Sequence, residues 1–74
     1  MVLRDCQPGS SVRLSGHIGG HPQRRRLLEL GFVPGAVIRV IGRGAIGGLV
    51  VALDDARLAL DARTGGSMVV EPVG

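Results

Sequence analysis

Three observations predict a small, mainly β domain: an antiparallel barrel or curled sheet of five short strands with one inserted helix. Short apolar stretches alternate with polar residues, as half-buried strands do. Glycine-rich turns separate those stretches at close intervals. Only the segment from Pro22 to Leu30 carries the periodicity of a helix built into the core.

The chain has 74 residues, enough for a single domain over residues 1–74 with one small core. A domain of this size hides only about 60% of the surface its unfolded chain exposes. Its 45% apolar content and 13 glycines suit a compact chain with many tight turns rather than a disordered one.

"PGSSVRL" from Pro8 and "PGAVIRV" from Pro34 share a pattern of a Pro-Gly turn, two residues, then apolar-Arg-apolar alternation. Proline presets one turn torsion and glycine takes the positive one, so each Pro-Gly reads as a turn that launches a strand. Val12 and Leu14 mark the first strand. Gly16, Gly19 and Gly20 link it to the helix. "AVIRVIG" and "LVVAL" are the second and third strands, joined as a hairpin through "GRGAIGG". Asp54-Asp55 is a turn, "RLAL" the fourth strand, "DARTGG" a turn or loose helical turn, and "MVVE" the fifth. Closing such a sheet hides its edges, and the helix plugs one end.

At 100° per residue, Leu27, Leu28 and Leu30 fall in one arc with Gly31, which is the expected core side. Arg25, Arg26 and Glu29 fill the opposite side, with Arg25 and Glu29 spaced as an i, i+4 pair. Arg24 projects between Leu27 and Leu28 from the first turn, its stem on apolar surface and its head in water. Pro22 suits the first helical position, and Gly31 the left-handed residue after the last turn. Three arginines at the amino-terminal end oppose the helix dipole, which propensity does not explain. A protein partner met by Arg24, Arg25 and Arg26, with Leu28 or Phe32 as an apolar anchor, would explain it; a solvated charged face is the plainer reading.

All nine basic residues are arginine, and the net charge of +3 is mild. It permits attraction to an acidic surface without implying nucleic acid. Single-strand binders stack bases on aromatics, and Phe32 is the chain's sole aromatic residue. Membrane binding by the helix is disfavoured because the core claims its apolar arc. The amino terminus lacks the apolar run of a signal peptide, and Leu49 to Leu53 is far short of the roughly 20 residues that span a bilayer. The lone Cys6 suits a reducing compartment, so a cytoplasmic location is expected.

Catalytic chemistry is not proposed by these residues. His17 and His21 stand four apart in "HIGGH", but Gly19 and Gly20 interrupt the helix that would bring both to one face. With Cys6, Glu29, Asp54 and Asp55 as further donors, the pair suits adventitious surface binding of a transition metal rather than a built site. The glycines between Gly42 and Gly48 lack the lysine and hydroxyl residue of a phosphate-binding loop. Neither an enzyme nor a cofactor is expected.

"RRRLLELGFVPGAVIRV" resembles the signature of the FeoA family, small cytoplasmic proteins of bacterial ferrous-iron transport. Arg26, Leu27, Leu30, Gly31, Phe32, Pro34 and Gly35 match that signature position by position. "QPGSSVRLSGH" is similar to the family's first turn and strand, and "LALD" to a late strand. The resemblance departs at Gly44 to Leu49, where only Gly47 is kept, at Asp61 in place of a frequent arginine, and at Gly65-Gly66 in place of Glu-Ala. It implies an SH3-like barrel with one inserted helix. It also implies regulation of the membrane ferrous-iron transporter FeoB through its cytoplasmic GTPase region. Two alternatives stand beside it: the SH3-like domain of an iron-dependent repressor, and a small nucleic-acid-binding barrel. With Met1 close to the first strand, a standalone protein is favoured over the repressor domain.

Overall fold

The computed structural model describes residues 1–16 and 20–73. Five strands form one antiparallel sheet: β1 (Ser11–Leu14), β2 (Val37–Arg43), β3 (Leu49–Leu53), β4 (Ala56–Leu60) and β5 (Val70–Pro72), in the order β4-β3-β2-β1-β5. Helix α1 (Arg24–Leu30) lies between β1 and β2 in the chain, and a second helix, α2 (Ala62–Ser67), between β4 and β5.

The two Pro-Gly repeats do the same work twice. Gly9 and Gly35 take φ of +91° and +90°, and the turns close through Ser10 N–H to Gln7 O and Ala36 N–H to Val33 O. Each glycine then donates to the partner strand, Gly9 to Val40 O and Gly35 to Leu14 O, both at about 2.7–2.8 Å. The turns therefore fix the register of the β1–β2 pair, in which Val12 faces Ile38. A register shift between Val40 and Gly42 marks a bulge in β2, a feature that increases the local twist and helps the sheet curl.

Alternation along the strands buries Val12, Leu14, Ile38, Val40, Leu49, Val51, Leu53, Leu60 and Val70 on the concave side. Leu27, Phe32, Leu3, Cys6 and Met68 complete that core. Leu3 sits in a 3-10 turn, Leu3–Asp5, which the sequence reading does not anticipate. Backbone bonds from Leu3 N–H to Met68 O and from Val70 N–H to Met1 O hold the amino terminus along the start of β5. Arg43 donates to the carbonyls of Arg4 and Cys6 at 3.0 and 2.9 Å, clamping that turn to the end of β2.

Helix α1 ends as expected. Gly31 is left-handed (φ +109°), Gly31 N–H donates to Leu28 O, and Phe32 N–H donates to Leu27 O. This is a Schellman motif, with Leu27 and Phe32 as its apolar pair. At the other end the helix starts at Arg24 rather than Pro22, which lies in the preceding turn.

Two expectations are corrected. "DARTGG", expected as a turn or loose helical turn, is a regular helix: it opens α2, which is nearly as long as α1. Asp61 caps it through Thr64 N–H at 2.8 Å, and Gly65 and Gly66 let Arg4 and Leu49 lie against it, where a Cβ would stand about 3.0–3.2 Å from them. Leu30 is not core but 44% exposed, because Gly31 turns the chain at once and sends Phe32 inward in its place.

Candidate partner-binding surface

Arg24, Arg25 and Arg26 are all exposed on α1. Arg25 Nε lies 3.4 Å from a Glu29 carboxylate oxygen, the expected i, i+4 pair and the single ion pair among the described residues. Both side chains are largely in water, so the pair contributes little stability. The arginines thus remain available for a partner.

Arg26 also flanks a groove between α1 and the edge strand β4. Its floor is Leu27, Leu30, Leu58 and Leu60, and Asp61 and Thr64 form the far wall, enclosing about 340 Å³. The walls are pinned together by His21. Its Nδ1 accepts from Gln23 N–H at 3.0 Å, standing in for the side-chain cap that Gln23 does not supply. The proton of the neutral ring is then on Nε2, which donates to Thr64 Oγ1 at 3.1 Å. The Thr64 amide in turn donates to Asp61 Oδ1 at 2.8 Å, and the neighbouring Thr64, through its side chain first and its backbone amide second, holds the Asp61 carboxyl below its ordinary value.

Of the residues expected to meet a partner, Arg24, Arg25 and Arg26 are all exposed, fanned around the first turn of α1 at about 100° per residue, and Leu28 is half-buried. Phe32 is corrected: it is 0% exposed and belongs to the core, so it cannot anchor a partner. The apolar group offered beside the arginines is instead Leu30, which the angular reading placed inside. Its position directly before a helix-ending glycine is the signal that could have placed it at the rim.

Of the histidine pair, His17 lies outside the described residues. Among the described residues no three His, Cys, Asp or Glu side chains gather as metal ligands. Cys6 is buried, and desolvation chiefly, with Asp5 nearby, raises its thiol pKa. No helix among the described residues is long and apolar enough to cross a membrane.

The FeoA domain family matches residues 1–72 of this sequence. The chain belongs to the FeoA family. No curated protein matches the sequence. Among solved structures, a FeoA from Stenotrophomonas maltophilia, complexed with zinc and described as a prokaryotic SH3 domain protein, is 32% identical with a TM-score of 0.80, covering 96% of this chain and 89% of that one. Iron(II) transport protein A from Clostridium thermocellum is 26% identical with a TM-score of 0.88, covering 99% of this chain but 46% of that one. A manganese-dependent transcriptional repressor shares the fold at 23% identity and a TM-score of 0.86, over 41% of its own chain. The fold of this FeoA-family chain is therefore the SH3-like one, with α2 added to the single inserted helix.

Proposed function

We infer that this protein is a non-enzymatic accessory protein of bacterial ferrous-iron uptake, acting in the cytoplasm on the GTPase region of the transporter FeoB. The observation that carries this reading is the FeoA match over residues 1–72, nearly the whole chain. The relative from Stenotrophomonas maltophilia, described as a candidate activating factor of ferrous iron transport, points the same way. In this reading the partner meets the α1 face. Arg24, Arg25 and Arg26 steer an acidic patch, while Leu28 and Leu30 supply apolar contact beside the groove.

The nucleic-acid alternative is disfavoured by Phe32. The chain's one aromatic residue is inside the core, so no aromatic platform is left for stacking bases. Titrating the fluorescently labelled protein with the isolated GTPase region and with full-length FeoB tests the reading. Saturable binding to either is expected; no binding to both would contradict it.

A further inference from the structure

Ile46 stands at the tip of the β2–β3 connection, within the 3-10 turn Ala45–Gly47, and is 97% exposed. Among the described residues the next most exposed large apolar side chain, Met1, reaches 58%. A single exposed aliphatic residue needs no explanation by itself. Its backbone does. Ile46 has φ 58° and ψ 39°, the left-handed region, where a β-branched residue is an outlier and glycine or asparagine would sit without strain. Glycines stand close on both sides at Gly44, Gly47 and Gly48, so the loop chemistry that would relieve Ile46 is used all around it.

The tip is also held firmly. Gly44 N–H donates to Gly48 O at 2.8 Å and Gly48 N–H to Ala45 O at 3.2 Å. A Cβ at Gly47 would lie 3.2 Å from Ala62 Cβ, and one at Gly48 would lie 3.1 Å from Leu60 O, so the loop rests against the start of α2. A strained, fully exposed and fixed aliphatic side chain fits a group presented for insertion.

Cations share this end of the molecule. Arg43 directly precedes the loop and holds the carbonyl of Arg4, whose guanidinium lies over Gly66 of α2. Arg63 follows Ala62, against which the loop packs. The acidic groups nearby are Asp5, exposed beside Arg4, and Asp61, whose carboxylate is occupied by Thr64.

We propose that the Ile46 loop, flanked by Arg4, Arg43 and Arg63, is a contact for an anionic lipid bilayer surface. The neighbours of Ile46 decide for lipid over protein. Gly44, Ala45, Gly47 and Gly48 are too small to build the apolar centre of an interface, which commonly buries about 1,200–2,000 Å². A bilayer surface asks only for an apolar tip and adjacent cations. The contact is weak by itself and serves to orient the protein at the membrane.

Flotation with vesicles tests this on the full chain, without any transporter present. Wild type should float with phosphatidylcholine vesicles containing about 30% phosphatidylglycerol and not with phosphatidylcholine alone, and about 0.5 M salt should weaken the binding. Ile46→Gly removes the side chain and relieves the backbone, so it should melt no lower than wild type yet bind at least about tenfold more weakly. Arg63→Gln should weaken binding to the anionic vesicles as well. Failure of wild type to bind anionic vesicles, or equal binding by folded Ile46→Gly, overturns the proposal. If wild type ignores vesicles while Ile46→Gly loses affinity for the FeoB GTPase region, Ile46 anchors a protein and the lipid assignment falls.

Discussion

Leu27 and Leu30 lie three residues apart on one helix, yet the structure gives them different energetic roles. Leu27 is buried among strand side chains, so Leu27→Ala should cost about 2–5 kcal/mol, a large share of the stability of so small a domain. Leu30 keeps nearly half its surface in water, and Leu30→Ala should cost about 1 kcal/mol. Arg25→Ala, which loses only a solvated pair, should shift stability by less than about 0.5 kcal/mol. Urea melts of the three variants check the order. Asp61 makes a prediction about pH. Its carboxyl is held low by Thr64, so its contribution is complete above the ordinary carboxylate value of 3.8 and is lost as pH falls through the lower folded value. Asn caps helices nearly as well but does not titrate, so Asp61→Asn should fold and show a shallower loss of stability in that acid range. Denaturation measured from about pH 5 to pH 2 would show it; identical acid slopes would mean the Asp61 cap does not titrate with folding.

At the scale of elements, all five strands and α1 are legible because their signals are local. Pro-Gly turns, alternation and a helix-ending glycine each act over a few residues. Gly31 is the sharpest case. At φ +109°, with a Cβ that would meet Leu53 Cδ2 at 3.2 Å, Gly31→Ala should destabilise by about 1–2 kcal/mol, readable as a lowered midpoint in urea. What escaped the sequence depends on contacts distant in the chain. "ARTGGS" has two glycines and poor helix propensity; it is helical because Asp61 caps it and because Arg4 and Leu49, far away in sequence, pack on those glycines. The Leu3–Asp5 turn likewise exists through its bonds to Met68 and Arg43. In the candidate site, the arginine face could be read directly, since exposure follows from helical angle. For the exchange of Leu30 for Phe32 as rim and core, the one local signal is Leu30's place directly before the helix-ending Gly31; the helical angle alone puts Leu30 inside.

As a whole molecule, the chain combines a mild positive charge with a curled sheet whose only aromatic side chain is hidden. Binding to single-stranded RNA or DNA should therefore be weak and steeply salt-dependent. Fluorescence anisotropy at about 150 mM salt checks this, and submicromolar affinity would favour a nucleic-acid role. The central claim is that a FeoA-family domain meets the GTPase region of FeoB through the arginines of α1. Its most direct test compares wild type with an Arg25→Glu, Arg26→Glu double variant, each shown by circular dichroism to be folded, in titrations with that GTPase region. Both arginines are exposed, so the variant should keep its fold. The double variant should bind roughly tenfold or more weakly, with a smaller dependence on salt. Equal affinity for the folded double variant and the wild type would contradict the claim.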